Sequence, residues 1–147
     1  MKKYCLNYEL SKEVYDRNKD MVAIKECYLN VAKIITCDRV IKEHYKDYKV
    51  VFGGLKIDLN ESSNSTEMYA KHCFLLFKDE IIDVTVFESD NINKETVDYL
   101  IFKTFEIEDY LDKLEKCNGD TSLSKFMLKF LNEKTMELYN ENIILLG

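Results

Sequence analysis

The sequence predicts an α+β fold, and three observations point to it. Apolar residues recur at helical spacing from about Lys25 to Tyr45 and again toward the end of the chain. Between these stretches lie several runs rich in β-branched and aromatic residues. The strands are grouped in the middle instead of alternating with helices, which implies an antiparallel sheet with the helices segregated around it. At 147 residues one domain is expected, long enough to close a core without staples. Its core is placed at about residues 20–105, with a C-terminal helical extension over about 106–147.

Taken in order, residues 10–20 (LSKEVYDRNKD) read as a short polar helix with Ser11 as its N-cap. The Lys25–Tyr45 stretch carries Tyr28, Val31, Ala32, Ile34, Ile35, Val40 and Ile41 at helical spacing, with a break or kink expected near Thr36-Cys37-Asp38. Tyr48 to Leu59 alternates and reads as strand, and its Gly53-Gly54 pair predicts a bulge or a close backbone approach. Residues 60–66 (NESSNST) form the clearest loop. Tyr69–Phe77 and Ile81–Phe87 read as two strands of a hairpin around Lys78-Asp79-Glu80. Asp90–Asn93 reads as loop, and Val97–Phe105 as a further strand, with helix the alternative. Glu106–Lys116 has Ile107, Tyr110, Leu111 and Leu114 on one helical stripe and stops at Asn118-Gly119. Thr121 or Ser122 then caps a final helix whose Leu123, Phe126, Met127, Phe130, Leu131, Met136 and Leu138 are expected in the core.

Composition narrows the function. Lys plus Arg number 21 against 27 Asp plus Glu, a net charge of -6, and the excess acid lies beyond the first fifty residues. Phosphate affinity rests on clustered cations, so a nucleic-acid partner is not expected. No apolar stretch is long enough for a membrane span. The basic start, Met1-Lys2-Lys3, has no apolar run behind it and does not read as a signal peptide, so a cytoplasmic location is expected. The five cysteines, Cys5, Cys27, Cys37, Cys73 and Cys117, are an odd number without Cys-x-x-Cys spacing. Neither paired metal-ligand spacing nor a Gly-x-x-x-x-Gly-Lys loop occurs, and no cofactor is expected.

The two histidines shorten the search for chemistry. His44, in Lys42-Glu43-His44-Tyr45, reads as a solvated residue at the charged end of the long helix. His72 lies inside an apolar strand, where an imidazole needs a partner for each nitrogen. Asp83, between Ile82 and Val84, is an acid that is costly to bury unpaired. A two-residue loop at Lys78-Asp79 puts His72 and Asp83 on one face one diagonal step apart, a four-residue loop puts them opposite each other, and a three-residue loop separates them. Cys27 falls in the first turn or two of the long helix, where free amides and the helix dipole favour a thiolate and can hold a developing oxyanion. Cys27, His72 and Asp83 thus suit the roles of nucleophile, base and orienting acid; a buried structural Cys27 is the alternative. Cys73 alternates onto the face opposite His72.

The pattern Lys25-Glu26-Cys27-Tyr28-Leu29-Asn30, a glycine-containing strand at 48–59, His72-Cys73-Phe74 and Ile81-Ile82-Asp83-Val84-Thr85 resembles the papain-like fold in its transglutaminase-like branch. The resemblance covers roughly residues 20–88. It implies a papain-like core in which a helix opened by the cysteine packs on an antiparallel sheet, with Cys27 as nucleophile, His72 as general base and Asp83 as orienting acid. It differs in having Cys73 directly after the histidine, Val84 where proline is usual, and no glutamine to serve as a side-chain oxyanion donor; Asn7, Asn18 and Asn30 are the substitutes on offer. The implied activity is that of a cysteine-dependent hydrolase or acyltransferase working through a thioester on a protein or peptide substrate or a small amide. The alternative is an inactive papain-like scaffold that binds a partner protein through the 58–67 loop and the last helix.

Overall fold

The computed structural model of the chain describes residues 4–59, 66–88, 97–140 and 144–145. The molecule is α+β. Helix α1 (Tyr8–Asn18) precedes α2 (Cys27–Cys37) and the single turn α3 (Arg39–Lys42). Strands β1 (Tyr48–Leu59), β2 (Thr66–Phe77), β3 (Glu80–Ile82) and β4 (Asp98–Glu106) follow, then α4 (Ile107–Lys116), α5 (Ser124–Asn140) and the short β5 (Ile144–Leu145). The antiparallel strands are ordered β3-β2-β1-β4, and β5 adds a parallel pairing to β2. The expected loop at 60–66 falls almost wholly, and that at Asp90–Asn93 wholly, outside the described residues.

The first helix begins earlier than the sequence predicts. Asn7 is its N-cap, accepting the Leu10 amide at 2.9 Å, and Ser11 lies buried inside the first turns. An Asn side chain satisfies an orphan amide as well as a Ser does, and this frees the Ser11 hydroxyl for β3 and the turn after it. The break expected near Thr36-Cys37-Asp38 is present. Asp38 ends α2 and caps α3 through the Ile41 amide at 3.1 Å. Its buried carboxylate also takes Asn18 Nδ2 at 2.7 Å and Arg17 Nε at 3.1 Å, which ties α1 to the α2–α3 junction. Burial opposes the charge on Asp38, but these hydrogen bonds and the Arg17 charge hold its carboxyl below the usual carboxylate range.

One face of the sheet carries the main core. Val31, Ile34 and Ile35 of α2 pack with Val50, Phe52, Cys73, Leu75 and Phe105. Val14 of α1, Ile107 and Tyr110 of α4, and Leu123, Met127 and Leu131 around α5 belong to the same cluster. The C-terminal helices therefore share the core of the sheet instead of forming a separate layer. In the last helix the stripe is narrower than predicted: Phe126 and Met136 are exposed, because the face seen by the sheet is set by positions 123, 127 and 131. Neither predicted residue caps α5; the Asp120 carboxylate takes the Ser122 and Ser124 amides at 3.1 and 3.2 Å. A second cluster on the other face joins Val51, Phe74, Leu76 and Ile81, with Tyr99 and Ile101 packed against it. Among the described residues no helix is long and apolar enough to cross a membrane.

Both features expected of Gly53-Gly54 occur. The β1–β4 register shifts between Phe52 and Gly53. A Cβ at Gly53 would stand 1.8 Å from the Leu100 carbonyl oxygen, and one at Gly54 would stand 1.8 Å from the buried Tyr69 ring. Gly53→Ala is therefore expected to lower stability by at least about 3 kcal/mol, the upper end of overpacking costs, because a backbone oxygen cannot rotate away. Gly119→Ala meets open space and bears only the strain of φ +84°, about 1–2 kcal/mol. Urea midpoints of the two variants test the ranking, and equal midpoints would contradict it.

Candidate active site

The hairpin turns at Lys78-Asp79 with Phe77 opposite Glu80, Leu76 opposite Ile81 and Leu75 opposite Ile82. This is the two-residue loop, with Lys78 at φ 50°. The second strand is far shorter than the Ile81–Phe87 run suggested, ending at Ile82. Its side-chain chemistry ends it. The Asp83 amide leaves the ladder for Ser11 Oγ at 3.1 Å, and Asp83 Oδ1 accepts the Thr85 amide at 3.1 Å, starting a turn. A 3-10 turn over Thr85–Glu88 continues the chain away from the sheet.

The departure of β3 opens the edge of β2 beyond Leu75. Amides of alternate residues point to the same edge of a strand, so the next one toward β3, that of Cys73, meets no fourth strand there. Its partner is Cys27, whose sulfur accepts the Cys73 N–H at 3.4 Å. Cys27 is the first residue of α2, and Asn30 makes the first helical bond, to the Glu26 carbonyl at 2.8 Å. The amides of Cys27, Tyr28 and Leu29 precede that bond, so the sulfur sits at the positive end of the helix dipole. Glu26, the N-cap residue, makes no side-chain cap there.

His72 and Asp83 meet as the two-residue register implies. His72 Nε2 lies 2.7 Å from Asp83 Oδ2. With Nε2 so engaged, Nδ1 is left, and Cys27 lies close enough to the ring to help raise its pKa. Cys27, His72 and Asp83 thus converge from the start of α2, the middle of β2 and the end of β3. They are buried, with 8%, 5% and 2% of their surface exposed. Burial alone would lower the His72 pKa. The Asp83 charge and hydrogen bond, with smaller contributions from Cys27, outweigh it and push the ring up to about 10.

One residue escaped the sequence reading. Tyr99 of β4 donates its hydroxyl to Asp83 Oδ2 at 2.8 Å, and its ring centroid lies 5.0 Å from that of Phe74. Two strands, β2 and β1, stand between β4 and the strand that leads to Asp83. Only the sheet order, β4 next to β1, could have revealed the contact. His44 is exposed, with Asp47 at 3.7 Å. The three asparagines offered as oxyanion donors are engaged elsewhere. Asn7 caps α1; Asn18 Nδ2 serves Val14 and Asp38; Asn30 Nδ2 serves the Ala23 carbonyl at 2.8 Å and Thr85 Oγ1 at 3.0 Å. The amides of Cys27, Tyr28 and Leu29, which precede the first helical bond, remain as backbone donors at the start of α2.

Two outcomes follow from the buried pair. His72 is charged more readily in the folded chain than in the unfolded one, so its contribution to stability is complete below about pH 6.5 and fades as pH rises through about 10. The stability gap between the native chain and His72→Asn should shrink across that range in urea titrations, and a gap that widens would refute the charged ring. Tyr99→Phe should cost about 1–3 kcal/mol, the effect of removing a hydrogen bond to a charged group, as read by thermal denaturation. Compared with protein-family models, curated proteins and solved structures, the chain matches none, so the site is read from its own geometry.

Proposed function

We propose that this chain is a cysteine-dependent hydrolase or acyltransferase with a papain-like, transglutaminase-like core. The observation that carries the reading is the convergence of Cys27 at a helix N-terminus with a histidine already paired to a buried carboxylate. The thiol proton resides on His72 before substrate arrives, so that an imidazolium lies between the Cys27 thiolate and Asp83. The Cys27 sulfur attacks the carbonyl carbon of an amide. Charge gathers on the carbonyl oxygen, facing the free amides that open α2. His72 returns its proton to the leaving amine, and a thioester remains on Cys27. Water or an amine then resolves it, the difference between hydrolysis and transfer. Asp83 fixes the ring's orientation and tautomer, and Tyr99 and the Thr85 amide hold Asp83.

One observation favours a second reading, a papain-like scaffold that binds a protein without turnover. Cys27 and His72 are nearly closed over, while Leu128, Asn132 and Met136 form an open patch on α5. Thiol kinetics separate the two. Iodoacetamide at neutral pH should modify Cys27 faster than the exposed Cys5 and Cys37, and His72→Ala should remove that advantage, as read by mass spectrometry of tryptic peptides. Slower labelling of Cys27 than of the exposed thiols in both chains would leave the binding module standing.

A further inference from the structure

A second cysteine lies beside the first. Cys73 is fully buried, and its side chain shares the α2-facing core cluster with Cys27. The Cys73 amide nitrogen is 3.4 Å from the Cys27 sulfur, so the Cys73 Cα lies within about 4.9 Å of that sulfur, one N–Cα bond further on. Cα–Cα separations of 4.4–6.8 Å are usual for a disulfide, and a sulfur this close to the opposite Cα is compatible with them. Cys5 and Cys37 lie exposed on the surface.

We infer that Cys27 and Cys73 are an oxidation-sensitive pair, in which a peroxide converts Cys27 to a sulfenic acid that Cys73 captures as a disulfide. The inference rests on the reading of Cys27 as an activated thiol. In the first step the Cys27 thiolate attacks one oxygen of hydrogen peroxide; the O–O bond breaks, and the departing hydroxide takes the His72 proton and leaves as water. In the second step the Cys73 sulfur attacks the sulfenic sulfur. The S–S bond forms, the S–O bond breaks, and the hydroxyl leaves as water with the Cys73 proton. Two electrons pass from the two thiols to the peroxide. The order of events is set by environment. Burial and the neighbouring Cys27 and Asp83 charges hold Cys73 in its thiol form, so it resists direct oxidation. Cys27 is 8% exposed, and hydrogen peroxide is scarcely larger than water. The bond fastens the start of α2 to β2 and removes the nucleophile until a dithiol restores it.

The test uses the whole chain. Reduced protein is treated with hydrogen peroxide, its remaining thiols are blocked, and it is cut with trypsin without reduction. Cleavage after Lys25, Lys33, Lys71 and Lys78 gives peptides 26–33 and 72–78, each with a single cysteine. The expected product is these two joined, about 2 Da lighter than their sum, and released by dithiothreitol with recovery of Cys27 labelling. If dimedone traps a sulfenic acid on Cys27 while peptide 72–78 stays free, the pair is refuted and the activated thiol survives. If Cys27 is neither oxidised nor quickly alkylated, both readings fall. A 2 Da loss at Cys27 that persists in Cys73→Ala would place the new bond on the backbone nitrogen and also overturn the disulfide.

Discussion

A peptide N–H at the open edge of β2 has to find an acceptor, and much of this molecule follows from how it does. Strand β3 ends at Ile82, so the Cys73 amide has no neighbouring strand to receive it. An unpaired buried amide costs about as much as a lost hydrogen bond. A sulfur is a weak acceptor, yet here it fills the position, and helix α2 must start at that point to deliver it. The edge thus fixes where the helix begins, and the helix start in turn puts a thiol beside the residue preceding Cys73. The sulfur that accepts the Cys73 amide thus stands at that edge, next to two residues whose side chains point to opposite faces.

Asp83 organises the opposite side of that junction. Its amide is held by Ser11 of α1, its Oδ1 accepts from Thr85, and its Oδ2 accepts from Tyr99 and contacts His72 Nε2. The residue that ends β3 is therefore also the one that orients the imidazole, so opening the strand edge and placing the charge are a single event. Gly53 completes the arrangement. Lacking a side chain, it lets the Leu100 backbone of β4 approach β1. A larger residue there would push β4, the strand that carries Tyr99, away from β1.

Period and turn chemistry made much of this legible in the sequence. The β1 range, the glycine bulge, the break after Cys37 and the meeting of His72 with Asp83 follow from alternation, β-branching and loop length, all local properties. What stayed hidden was non-local. Nothing in Ile81–Phe87 announces that a strand ends after two apolar residues, because the cause is a serine some seventy positions earlier and a carboxylate folding back on its own backbone. Tyr99 read only as one aromatic in a strand, since two strands stand between it and the strand that leads to its target. The exposure of Phe126 and Met136 has the same origin: an amphipathic stripe states that a face is buried, whereas the width of that face is decided by what it docks against.

The buried ion pair bears on why such a site exists at all. Withdrawing an imidazolium and a carboxylate from water costs several kcal/mol for each ion, and their attraction repays this only with good geometry and further hydrogen bonds. Asp83 has those bonds, so the pair is sustained; yet apolar residues of similar volume commonly do as well or better for stability. Stability is thus a poor reason for a charged histidine in the middle of β2, next to Phe74 and under Tyr99. What the pair supplies that Leu or Phe could not is a proton held at a defined nitrogen and a positive charge beside a sulfur. Both are what the proposed activation of Cys27 calls for.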